Sequence, residues 1–281
     1  MSNAESVIFN SDSLEFRGSL SRISWIQSLC DTGKKVFKYN HSDYNFDKEI
    51  IDLLRDRGFI HSSVRLDKIH EELSADDMTV DVNQINNIVK TCYETNERIG
   101  NLYHEFIRKC VKPIMDDQIY FQKTPTFRFS FPKSIGMTKR DYHNDIMLGH
   151  PPEELNIWAP FTNSSQSKSF VILPLDKSLY LLKKFDYNLQ SLHQAIWKDN
   201  KIKQFCDDNT DIVSLDKDEF LIFDSRCLHA AILNESEYTR VSMDIRIIRV
   251  NEYNNLPFTY IGTGRRKAKF TPDDYYHQNE I

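Results

Sequence analysis

The chain has 281 residues, of which 40% are apolar and 27% charged, and carries a net charge of −5. With 18 Phe, 13 Tyr and only 8 Gly it is excluded from the disordered class and is long enough for one large domain. The acidic balance argues against nonspecific nucleic-acid binding, which needs a basic surface to release counterions. No run of about 18 apolar residues marks a membrane span. Five cysteines, Cys30, Cys92, Cys110, Cys206 and Cys227, are scattered without a zinc-type spacing and read as reduced thiols. The start of the chain lacks the basic segment and apolar run of an export signal, so a cytoplasmic location is expected.

In chain order, residues 1–120 read as a helical layer. Asp47–Arg57 and Leu66–Leu73 suit short helices. From Val82 to Ile114 a stripe formed by Ile85, Ile88, Val89, Cys92, Ile99, Leu102, Phe106 and Cys110 predicts a long amphipathic helix. Pro113 marks its end. Near Thr124 the pattern becomes β-like, with runs at Thr126–Phe131, Leu155–Phe161, Phe170–Leu173, Glu219–Phe223, Ala230–Leu233 and Arg240–Val250. A helical insertion interrupts them at about 175–208, and 256–281 forms a C-terminal extension. The basic cluster Arg265, Arg266, Lys267 and Lys269 in that extension reads as a solvated turn. The expected fold is mainly β with α: a jelly-roll or cupin-like barrel over 121–255, with the N-terminal helices outside it, in a single domain spanning 1–281.

The segment Asp141-Tyr142-His143-Asn144-Asp145 contains His-x-Asp. Residues two apart on an extended strand share a face, so His143 and Asp145 can converge on one ion. His229, at the start of a later β run, is a candidate third ligand. Two imidazoles and one carboxylate leave three octahedral positions open, an arrangement suited to Fe(II) that binds an oxoacid and dioxygen together. Taken alone, the triad also fits chance placement of structural histidines. Eleven residues after His229 comes Arg240, opening a strand that alternates cleanly. Val241, Met243, Ile245 and Ile247 form one face, and Arg240, Ser242, Asp244 and Arg246 the other. The polar face is either a solvated outer surface or a barrel interior that holds an anion, with Arg240 as a planar fork and Ser242 as a hydroxyl donor.

Further candidates flank this set. Arg128, in the alternating run Thr126–Phe131, either contacts an anionic group of substrate or oxoacid, or forms a salt bridge on an exterior strand. Asn156 and Trp158 share a strand face after the metal loop, where either could line the pocket; Asn156 inside a barrel would need partners such as a cosubstrate, and Trp158 is either a substrate contact or ordinary core. His150 sits in a loop near the site opening and is also a substrate-contact candidate. Tyr142 points away from His143 and reads as structural, and Asn234 as a turn residue.

Together His143-x-Asp145, His229 and Arg240-x-Ser242 resemble the Fe(II)/2-oxoglutarate oxygenase superfamily, on its phytanoyl-CoA-hydroxylase-like side. The runs Gly149-His150-Pro151, Asn156–Thr162 and Thr239–Ile247 look like a bacterial branch associated with streptomycin-type biosynthesis. The resemblance covers residues 120–250. It implies Fe(II), 2-oxoglutarate and O2 as cofactor and cosubstrates, with Arg240 and Ser242 on the far carboxylate of the oxoacid. It further implies hydroxylation or a related oxidation of a small polar metabolite, with release of succinate and CO2. Related halogenases lack the carboxylate that Asp145 supplies here. The interval from Asp145 to His229 exceeds the usual one, and the insertion accounts for it, either covering the site mouth or serving an interface. His150 and His193 are reserve ligands should His229 lie elsewhere. Three other readings remain: a metal-dependent isomerase or lyase on a cupin-like barrel, a Jumonji-like protein hydroxylase, and a non-catalytic β-barrel binding protein.

Overall fold

The computed structural model describes residues 32–78, 88, 91, 92, 97–133, 141–263 and 267–281. Nine strands lie among them: β1 (Lys34–Lys38), β2 (Ile119–Phe121), β3 (Thr126–Ser130), β4 (Leu155–Pro160), β5 (Phe170–Ile172), β6 (Asp211–Ile212), β7 (Glu219–Asp224), β8 (His229–Ala231) and β9 (Arg240–Arg249). They form two antiparallel sheets. The larger runs β1-β7-β4-β9-β2, with β3 also on β9, and the smaller runs β6-β5-β8. At ten residues β9 is long enough to pair β3 and β2 in succession along one edge and β4 along the other.

The alternation of β9 decides how the layers stack. Its apolar face joins Ile157 and Ala159 on β4, Phe220 and Ile222 on β7, and Phe127 and Phe129 on β3 in one core with the N-terminal helices.

 Helix α1 (Phe46–Asp56) buries Phe46, Ile50, Leu53 and Leu54 on one stripe, and each such side chain contributes roughly 1.5–3 kcal/mol on leaving water. Phe46 stacks on Phe161 at 4.7 Å. Phe106, ending α2 (Glu97–Phe106), meets Phe220 edge-on at 5.4 Å. On the opposite face of the large sheet, Trp158, Leu221 and Phe223 pack against Phe170 and Ile172 of the small sheet. The small sheet turns Val171 and Ala230 outward, with Leu173, Leu228 and Ile232 beside them. Helices α3 (Leu175–Lys184), α4 (Leu189–Lys198) and α5 (Asn200–Asn209) cover that face. The order of layers is therefore helices, large sheet, small sheet, helices.

Several expectations are corrected. The segment 1–120 is not purely helical, because Lys34–Lys38 pairs with β7 as an edge strand and Ile119–Phe121 pairs with β9. The expected barrel appears as two facing antiparallel sheets, and among the described residues no pairing closes them into one. Much of the predicted helix from Val82 lies outside the described residues. Its later part is α2, which widens to a π-turn at Ile107–Val111 and tightens to a 3-10 turn at Lys112–Ile114. Leu66–Glu71 is 3-10 rather than α. The insertion is three helices, and it backs the small sheet instead of lying over the space between the sheets. Cys30, Arg265 and Arg266 fall outside the described residues. Cys92, Cys110, Cys206 and Cys227 are free thiols. Among the described residues no helix is long and apolar enough to cross a membrane.

Candidate metal centre

His143 and His229 are brought together by the backbone. Each donates its N–H to the other's carbonyl, at 3.1 and 2.8 Å, forming a doubly bonded antiparallel pair. Residues directly opposite in such a pair project to one face, and the two rings lie 4.6 Å apart. Asn144 is extended and caps the 3-10 turn Asp145–Leu148, accepting from the Met147 N–H at 3.2 Å. The strand geometry anticipated for His-x-Asp thus ends at Asn144, and Asp145 opens a turn. Donor atoms of His143, Asp145 and His229 all lie within 4.8 Å of one another.

The protonation pattern suits a cation. Nδ1 of His143 is 3.0 Å from the Asp141 carbonyl, and Nδ1 of His229 is 3.0 Å from that of Cys227. A carbonyl only accepts, so Nδ1 is the protonated nitrogen of each neutral ring, the tautomer that leaves the Nε2 lone pair for a metal. Burial, with repulsion from His143, pushes His229 down to about 4. Asp145 is fully buried. Burial alone would raise its carboxyl, but Arg246 above all, then His150 and His229, hold it well below the usual carboxylate range. Arg246 Nε donates to Asp145 Oδ2 at 2.9 Å. The other oxygen, Oδ1, is buried with no hydrogen-bond partner and lies 4.0 Å from His229 Nε2. An ionised oxygen without a donor costs several kcal/mol in a protein interior unless a cation offsets it. The donor set of two imidazole nitrogens and one carboxylate oxygen is that of an open divalent transition-metal site.

The polar face of β9 is the inner one, facing the small sheet. Ser242 Oγ accepts from Arg240 at 2.8 Å and from Trp158 Nε1 at 3.1 Å. Its own hydrogen is therefore left to donate. Arg240 is 6% exposed, lies 5.8 Å over the Trp158 ring, and keeps a buried Nε without a partner. Burial pulls this guanidinium down to about 10, a range that still leaves it charged near neutrality. Asn156, opposite Arg246 in the sheet register, is 2% exposed with both amide atoms unpartnered. Trp158, Phe170 and Phe223 line the way from Arg240 to His229, with Phe170 and Phe223 edge-on to His229 at 6.4 and 5.3 Å.

The remaining candidates are spread around this set. Arg128 shares the inner face but is half-exposed and paired with Asp244. His150 hydrogen-bonds Glu154 at 2.6 Å and is no member of the triad. His193 is exposed on α4, beside Trp197. Tyr142 is buried beneath the insertion and donates to Asp207 at 2.9 Å. Asn234 holds a turn by donating to the Ser130 and Tyr238 carbonyls. A cavity of about 590 Å³ between α1 and the end of β4, lined by Lys48, Phe161, Thr162 and Tyr238 among others, includes none of the triad, Arg240 or Asn156. Sequence reasoning gave no role to Arg246, although it stood on the polar face of β9, and none to Glu154 or Tyr276, whose bond to each other spans 122 positions.

No family model matches the chain. It is 23% identical over 162 residues to the streptomycin biosynthesis protein StrG of Streptomyces griseus, a match spanning 57% of this chain and 62% of that protein. Among solved structures it is similar to AviO1 from Streptomyces viridochromogenes Tue57, with 14% identity, 83% of this chain and 96% of that one covered, and a TM-score of 0.49. It is also similar to the non-haem α-ketoglutarate-dependent carbocyclase SnoK from nogalamycin biosynthesis (12%, 86% and 85%, TM-score 0.48). A third is EctD from S. alaskensis with 2-oxoglutarate and 5-hydroxyectoine (12%, 80% and 74%, TM-score 0.45).

Proposed function

We propose that this chain is an Fe(II)- and 2-oxoglutarate-dependent oxygenase that hydroxylates, or otherwise oxidises, a small polar metabolite. The observation that carries the reading is the pairing of two incomplete sites on one inner face. One is a His143–Asp145–His229 set with a buried carboxylate oxygen awaiting a cation. The other is a buried Arg240–Ser242 pair awaiting an anion. A dicarboxylate that chelates the metal at one end and meets Arg240 at the other completes both. A cupin-like isomerase or lyase would need the triad but leaves the buried guanidinium without a role.

His143, Asp145 and His229 would hold the metal and, as three ligands, leave coordination positions free for the cosubstrate. Arg240 would present its fork and Ser242 its hydroxyl to the far carboxylate, while the unpartnered Asn156 amide, opposite Arg246, could donate and accept on the same inner face. Bound Fe(II) would supply dioxygen activation coupled to oxidative decarboxylation of 2-oxoglutarate to succinate and CO2. The chain's own part is to orient the cosubstrate and exclude water, for which the Trp158, Phe170 and Phe223 wall is suited. The division of β4, β7 and β9 into one sheet and β5, β6 and β8 into the facing one accords with a double-stranded β-helix, and the StrG likeness accords with a place in small-molecule biosynthesis.

The test is anaerobic titration of 2-oxoglutarate into Fe(II)-loaded protein, followed by the weak visible charge-transfer absorption of an oxoacid on Fe(II). The unaltered protein should develop the band and His143→Ala should not. Arg240→Lys keeps the charge but loses the fork, so it should need about 10–100 times more oxoacid, as expected for losing charge-assisted hydrogen bonds. Iron binding without any band in the unaltered protein would overturn the reading.

A further inference from the structure

The loop that presents Asp145 is clamped from outside the β-sheets. The chain leaves the 3-10 turn through Gly149, at φ +89, and His150 returns its N–H to the Asp145 carbonyl at 3.3 Å. The C-terminal segment, described at 256–263 and 267–281, closes on this loop at three places. The Ile261 carbonyl oxygen would lie 2.2 Å from a Cβ on Gly149, so only glycine admits the segment there. Thr263 donates its N–H to the Leu148 carbonyl at 2.9 Å. Phe270 and Tyr275 enclose the His150 ring, at 4.2 and 5.4 Å. Beneath them, fully buried Glu154 accepts from His150 at one oxygen and from the Tyr276 hydroxyl at the other.

The segment is itself anchored to the large sheet, so it can transmit position. His277 donates to the Phe121 carbonyl at 2.8 Å, Lys123 to that of Tyr275 at 2.9 Å, and Tyr275 Oη to Gln122 at 3.0 Å. It runs along β2, the strand paired with the same β9 that supplies Arg246. Asp145 is thus fixed twice: its side chain by Arg246, and its backbone by a loop wedged against the C-terminal segment.

We propose that the C-terminal segment is a positioning element of the metal centre, acting through Tyr276, Glu154 and His150 on the turn that carries Asp145. This rests on the metal centre described above, but not on oxoacid binding. Partners bonded directly to a ligand typically change metal affinity by about 10–100-fold, and Tyr276, which reaches Asp145 through Glu154 and His150, belongs at the lower end of that range. A segment that only capped the sheet edge would affect stability and leave the site's geometry alone.

The experiment is Co(II) titration of the full chain, read by visible ligand-field absorption. The proteins are the unaltered chain, Tyr276→Phe, and the control Tyr39→Phe. Tyr39 is also a buried tyrosine with a bonded hydroxyl, to the Lys217 carbonyl at 2.8 Å, but lies in the helical core. Tyr276→Phe should bind Co(II) about tenfold more weakly with a shifted band, while Tyr39→Phe should match the unaltered protein in both. Should Tyr276→Phe fail to fold, Phe270→Leu, which withdraws the ring from His150, carries the same comparison. Unchanged affinity and band in the segment variants, or an equal loss in Tyr39→Phe, would overturn the proposal while leaving the oxygenase reading intact. Absence of Co(II) uptake by the unaltered protein would overturn both.

Discussion

Arg246 shows how one side chain sets the character of a site. Its guanidinium donates to Asp145 Oδ2, and the pair is buried. Removing one partner of such a pair leaves a charge uncompensated and costs about 3–5 kcal/mol. Arg246→Met should therefore destabilise the metal-free protein by about that amount in urea unfolding. A divalent metal binding the folded state alone should restore part of it, since binding linkage adds roughly 2.7 kcal/mol at a hundred times the dissociation constant. If metal gives the variant no more stabilisation than the unaltered chain, Asp145 is not the group that the metal neutralises. This contact was not legible in sequence. Arg246 is separated by 101 positions from Asp145, and its place on the polar face of β9 fitted a solvated surface equally well. The convergence of His143, Asp145 and His229 was anticipated from strand spacing, although Asp145 reaches the group from a 3-10 turn and not from the strand.

At the scale of elements, legibility followed length and regularity. The ten residues of β9 alternate without a break, and its two faces were read correctly. Strand β1 escaped notice because Lys34–Lys38 is a largely exposed edge that needs no apolar alternation. Strands β2 and β6, of three and two residues, are too short to show a period. The break between α3 and α4 falls at Asp186 and Tyr187, both at positive φ without glycine. Left-handed L-residues cost roughly 1–2 kcal/mol each, and here burial of Tyr187 in the insertion's core offsets that. The same core decides what the insertion is for. Leu192 is fully buried there, with Val171, Leu228 and Ile146 in the same cluster. Leu192→Ala should cost about 2–5 kcal/mol in urea unfolding. A loss below about 0.5 kcal/mol, the scale of a surface change, would mean that α3–α5 are a detachable cover rather than a layer of the fold.

Across the whole molecule, the helical layer is joined to the large sheet partly through histidines, and this gives the fold a pH dependence independent of the metal. His41 follows β1 and sits 3.5 Å from Asp47 of α1. His70, on the 3-10 turn at Leu66–Glu71, is bonded to Thr239 Oγ1 at 2.8 Å, one residue before β9. Burial lowers both below the ordinary value of 6.5, outweighing the opposite pull of Asp47 on His41 and of Glu71 on His70. Just below pH 6.5 the unfolded chain therefore binds protons that the folded chain refuses. The number bound is larger in the unfolded state, so stability rises with pH through this window. The contribution is fully present above about 6.5 and is lost as the pH falls toward the lowered folded values. Urea midpoints measured at pH 7.5 and 5.5 should drop on acidification for the unaltered chain, and drop less for the double variant His41→Gln/His70→Gln. The comparison belongs to metal-free protein, because bound metal competes with protons at His143 and His229 and would add its own acid sensitivity. If both proteins lose the same stability between the two pH values, the acid response comes from elsewhere and the seam between helices and sheet is indifferent to histidine charge.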